Sequence, residues 1–137
     1  MLLDHAKRQA IRLAFEPEPG MFIQTGDEFQ RLLDTVKHPL FGLTLDIGHV
    51  HCLQDGSIAD HIHRWPDRLW NMHMEDMRPG VHEHLPFGEG SIEFVPVFAA
   101  LQDVGYSGGV HVELARHSHE APLQLQRSFA FLSRLIP

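Results

Sequence analysis

The chain has 137 residues, 43% of them hydrophobic and 21% charged, which is enough for one globular domain over residues 1–137 and excludes fibrous or disordered classes. Its 18 acidic residues outnumber 11 basic ones, and the net charge of -7 opposes the clustered Lys and Arg that a nucleic-acid partner demands. Cys52 stands alone, so no internal disulfide framework exists; no apolar run reaches the roughly 18 residues of a membrane span, and charge follows Met1-Leu2-Leu3 too early for a signal peptide, so the expected location is the cytoplasm.

The elements alternate in chain order. After a short leading helix, the first strand is expected over 11–16. Thr25-Gly26-Asp27-Glu28 has the form of a capping box and opens the amphipathic helical run Phe29, Leu32, Leu33, Val36. A second strand follows over 42–46, then a helix capped by Asp55 or Ser57 that runs to about Arg64, where Pro66 forbids simple continuation. The third strand spans 69–74. A helix over 94–104 ends at Gly105, the fourth strand covers 109–114, and the last helix covers 122–135 with Pro122 in its first turn. Strand and helix in alternation predict an α/β fold with a parallel sheet.

Side chains two apart on a strand share a face. Ile11, Leu13 and Phe15, then Leu43 and Leu45, then Trp70, Met72 and Met74, then Val110, Val112 and Leu114 give one bulky apolar face. The opposite face is smaller or polar and ends in Glu16, Asp46, His73 and Glu113. An open sheet covered by helices would be apolar on both faces, whereas a (β/α) TIM-type barrel has a packed interior with a polar C-terminal mouth. One carboxylate at a strand tip commonly caps the next helix. Four tips converging bring like charges together, and a divalent cation (Mn, Zn, Mg or Co) suits such a mixed oxygen and nitrogen set.

Histidine is abundant, 12 residues against 11 Lys and Arg combined. His49 follows Asp46 by three positions, and His82-Glu83-His84 on extended backbone would aim both rings the same way, so these three are candidates for substrate contact or a second metal. His5, His38, His61, His63, His117 and His119 are expected on solvated surfaces. His111 is expected one layer below Glu113 inside the barrel, while His51 and Cys52, within reach of the mouth, are not counted among the candidates.

From about residue 10 onward the chain resembles the xylose isomerase-like TIM-barrel superfamily. The resemblance rests on Phe15-Glu16-Pro17-Glu18-Pro19-Gly20, Leu45-Asp46-Ile47-Gly48-His49, Asn71-Met72-His73-Met74-Glu75-Asp76, His84-Leu85-Pro86-Phe87-Gly88-Glu89-Gly90, and Gly105-Tyr106-Ser107-Gly108-Gly109 leading to Val112-Glu113. It implies a divalent-metal-dependent isomerase or epimerase acting on a small sugar or polyol, phosphorylated or not. The metal ligands fall on Glu16, Asp46, His73 and Glu113, with Glu16 and Glu113 also the acid/base pair and His49 contacting substrate oxygens; Glu18 is an alternative to Glu16. The related endonuclease IV branch offers a rival, a multi-zinc phosphodiesterase using Asp46, His49, His73, His82 (where that family has Asp), His84 and Glu113. A complete eight-stranded barrel takes about 250 residues, so four βα units correspond to its C-terminal half. Either a missing N-terminal half or a second copy completes it, and a non-catalytic half barrel is the third reading.

Overall fold

The structure is a computed structural model that describes residues 2–135. In chain order the elements are α1 (Leu2–Arg8), β1 (Leu13–Phe15), α2 (Gly26–Val36), β2 (Phe41–Asp46), α3 (Ile47–Leu53), α4 (Ile58–Arg64), β3 (Leu69–Met74), β4 (Asp76–Arg78), β5 (Val81–Leu85), α5 (Phe94–Asp103), β6 (Gly109–Val112), a 3-10 turn over Ala115–Glu120, and α6 (Ala121–Leu132). β1, β2, β3 and β6 form one parallel sheet in that order, each strand returning beside its predecessor through a helical connection. This is part of a (β/α) barrel. β1 and β6 are its two edges.

Parallel pairing fixes the register that builds the mouth. Asp46 lies opposite His73, and His73 opposite His111, so the C-terminal ends of adjacent strands arrive at one level. The outer face carries the core. Leu43, Leu45, Met72 and Met74 are buried there with Ile47, Ile62, Val97 and Leu101 from the helices. Phe29, fully buried, anchors α2 against it: its ring packs edge-on to Trp65 at 5.3 Å and stacks on Phe41 at 6.2 Å. The capping box starts this helix as expected, Thr25 Oγ1 accepting from the Glu28 amide and Glu28 Oε2 accepting from the Thr25 amide.

Several boundaries differ from the sequence reading. β1 begins at Leu13, leaving Ile11 outside the strand and exposed, and β6 ends at Val112, before Glu113. Ser57 rather than Asp55 caps α4. Two elements were not expected. The short helix α3 starts directly at the end of β2, and β4 and β5 form an antiparallel hairpin beyond β3. The hairpin places His82 and His84 on extended backbone. His61 is buried rather than solvated, its Nε2 3.0 Å from Asp55 Oδ2, and it packs against Trp65. His111 is exposed, and among the described residues no strand pairs beyond β6 to cover it.

Candidate metal centre

Each strand tip delivers one donor. Glu16 follows β1, Asp46 ends β2, His73 lies near the end of β3 and Glu113 follows β6, and their donor atoms all fall within 4.8 Å of one another. His73 is the hub: its Nδ1 lies 2.8 Å from Glu16 Oε1 and 2.8 Å from Glu113 Oε2. Glu18 is not in the group, so strand parity selects Glu16.

Asp46 has two duties. Its Oδ1 caps α3 by accepting from the His49 amide at 2.9 Å, while its Oδ2 is buried without a hydrogen-bond partner. The helix-capping role and the donor role therefore coexist on one carboxylate. The cap also holds His49 in place. His49 Nδ1 donates to the Pro17 carbonyl at 2.9 Å, which leaves Nε2 as a free acceptor 3.6 Å from Asp46 Oδ2. Burial pushes His49 down to about 4, against the opposing effect of the Pro17 bond, so the ring is neutral near pH 7.

A second donor group adjoins the first. The rings of His49, His82 and His84 lie 4.9 to 5.7 Å apart between centroids, and their nitrogens come within 4.8 Å. The structure thus brings together all seven residues singled out in the sequence. His51 is separate, bonding Ser91 Oγ at 2.8 Å.

Electrostatics favour a cation here. Burial raises Glu16, and the Glu113 charge adds to this against the His73 contact; burial and then the Glu75 carboxyl push Asp46 well above the carboxylate range. Three carboxylates and an imidazole with an orphaned, buried Oδ2 among them fit a divalent ion by donor number and type.

Glu75 belongs to the Asn71-to-Asp76 motif, in which the resemblance assigns it no role. It is fully buried, and both its oxygens lack a hydrogen-bond partner among the described residues. The signal was parity: Asn71, His73 and Glu75 share one face if the strand is continued by one residue. The adjacent Asp76, also buried, is satisfied instead by the amides of Met77, Gly88 and Ile92, and so fastens the loop after the hairpin.

A family model described as xylose isomerase-like TIM barrel matches residues 1–135. Among curated relatives, inosose dehydratase from Geobacillus kaustophilus (strain HTA426) is 31% identical over 75% of this chain and 39% of its own length. L-ribulose-5-phosphate 3-epimerase from Salmonella paratyphi C (strain RKS4594) is 28% identical over 88% of this chain and 42% of its own. Among solved structures, D-allulose 3-epimerase from Methylomonas sp., in complex with D-allulose, superimposes with a TM-score of 0.70 and 27% identity, covering 82% of this chain and 38% of that one. The chain therefore spans about two fifths of the length of these proteins.

Proposed function

Because the chain belongs to the xylose isomerase-like TIM-barrel family, we propose that it supplies the metal-holding and proton-transferring half of a divalent-metal-dependent sugar epimerase or isomerase of the cytoplasm. The observation that carries this reading is the convergence of Glu16, Asp46, His73 and Glu113 at one end of a parallel sheet. The 3-epimerases among its relatives point to a ketose or ketose phosphate as substrate. The remainder of the barrel would shape the sugar pocket.

Glu16, Asp46, His73 and Glu113 would hold the ion. When bound there, a divalent cation supplies Lewis-acid stabilisation of the negative charge that develops as a proton leaves carbon next to a carbonyl. The chain's own residues do the rest. Glu16 and Glu113 reach His73 from the two edge strands, β1 and β6, and would act on the two faces of a planar carbon centre. One takes the proton from carbon and the other returns a proton, inverting the centre; return to the neighbouring carbon gives the isomer instead. Burial raises the Glu16 carboxyl, which makes its ionised form a stronger base. His49, neutral with Nε2 free, accepts a hydrogen bond from a sugar hydroxyl.

The test is exchange of solvent deuterium into D-allulose or L-ribulose 5-phosphate, with Glu113→Gln as the variant. Loss of roughly a hundredfold or more in exchange, with metal retained, is expected for an acid/base residue; unchanged turnover would overturn the assignment.

The three-imidazole group favours one further reading, a multi-zinc phosphodiesterase of the endonuclease IV kind. The net charge of -7 opposes a DNA substrate. Phosphodiester cleavage that depends on His82 and His84, without sugar exchange, would select it.

A further inference from the structure

Seven buried side-chain polar atoms among the described residues have no hydrogen-bond partner, and five of them meet in one place. These are Oδ2 of Asp46, Nε2 of His49, both carboxylate oxygens of Glu75, and Nδ1 of His84. Buried polar atoms are almost always satisfied, so a cluster of orphans marks a missing partner. All five are acceptors or can present a lone pair, so what fits among them is a hydrogen donor, a proton or a cation.

The geometry points to a second divalent-cation site, built from Glu75, Oδ2 of Asp46 and Nδ1 of His84, beside the centre formed by Glu16, Asp46, His73 and Glu113. One donor atom from each of Asp46, Glu75 and His84 falls within 4.8 Å of the others, and His84 Nδ1 lies 3.7 Å from Glu75 Oε2. Two carboxylates and an imidazole suit a first-row divalent ion such as zinc. Asp46 belongs to both donor sets, as a bridging carboxylate does where two metals work together.

The surroundings hold Glu75 in place beside Asp46. Gly48 packs directly over Glu75, and a β-carbon at position 48 would overlap Glu75 Oε1. The neighbouring Asp76 shows what a purely structural buried carboxylate looks like here, since three backbone amides neutralise it. Glu75 has no such set of amides; the Asp46 carboxyl and Gly48 lie against it. The site is distinct from the three-imidazole group, which shares only His84 with it.

The experiment is zinc stoichiometry. The purified chain, stripped with chelator and dialysed against Zn²⁺ at neutral pH, is analysed for zinc per chain, for wild type and for Glu75→Gln, His84→Asn and His82→Asn. Glu75→Gln and His84→Asn are each expected to hold one equivalent fewer than wild type, while His82→Asn holds the wild-type number. His84 is nearer the surface than Glu75, so its variant keeps the test alive should Glu75→Gln fail to fold. Equal zinc in Glu75→Gln and wild type would overturn the site and leave a proton shared between Asp46 and Glu75 as the occupant. A single equivalent in wild type, retained by Glu75→Gln, would overturn it without touching the four-residue centre, whereas no zinc in wild type would overturn both.

Discussion

Nδ1 of His73 lies 2.8 Å from Oε1 of Glu16, although 57 positions separate the two residues in the chain. Glu113 Oε2 sits at the same distance from the same nitrogen. A ring nitrogen carries at most one hydrogen, so two carboxylates compete for a single donor, with Asp46 close behind. The result is an excess of negative charge at the sheet's C-terminal end that a divalent ion resolves. This relationship underlies the functional proposal, and parallel strand register produces it.

Gly48→Ala tests the crowding between the first turn of α3 and Glu75. The added methyl would overlap Glu75 Oε1 and must displace that side chain or the first turn of α3. Overpacking of this kind costs about 1 to 3 kcal/mol, and the expected result is a lower urea midpoint together with weaker metal retention. A variant with wild-type midpoint and metal content would show that Glu75 has room to move.

The metal-free chain should lose stability toward alkaline pH through Glu75. Burial, opposed in part by Asp46 and reinforced by the Glu113 and Glu16 charges, pushes its carboxyl up from 4.5 to about 8. A carboxyl raised in the folded state contributes stability that is complete below about 4.5 and disappears as pH rises through about 8. His49 acts in the opposite direction: with its value lowered from 6.5 to about 4, its contribution is lost as pH falls through that window. Urea midpoints with chelator present, taken at pH 6, 7 and 8, should decline for wild type and stay flatter for Glu75→Gln. Parallel declines would remove Glu75 as the cause.

At the base of α2, Thr25→Ala should destabilise by about 1 kcal/mol through loss of the cap. Phe29→Ala should cost about 3 to 5 kcal/mol, since the ring is fully buried between Phe41 and Trp65. Thermal melts compare the two, and a larger effect at Thr25 would contradict this view of the core.

Both sheet edges are unpaired among the described residues, and a trough of about 550 Å³ between β6 and α6 is lined by Val112, Leu114, Pro122 and Leu125. Leu125 and Phe129 are 71% and 72% exposed beside it. An open parallel edge with an apolar flank invites association. Sedimentation should show a dimer or larger species; a monomer that unfolds cooperatively would contradict this.

Much of the site was legible because the side-chain period of a strand is two. Parity alone put Glu16, Asp46, His73 and Glu113 on one face, and the chain order of capping signals located α2 and α4. Tertiary pairing was harder to read. The β4–β5 hairpin follows β3 with a single residue between, so its polar, histidine-rich strands looked like loop. His61 looked solvated because its partner, Asp55, lies in the preceding turn and the covering ring of Trp65 belongs to the next. Glu75 is not legible as a site residue because β3 ends at Met74, as expected, and Glu75 stands one position beyond the last strand residue.

Divalent metal bound per chain is to be measured for wild type and His73→Ala by elemental analysis after dialysis against Zn²⁺ or Mn²⁺. His73 touches both Glu16 and Glu113, so its removal should abolish the ion of the four-residue centre and lower the count by one. An unchanged count in His73→Ala would contradict the account, because the converging strand tips would then hold no metal.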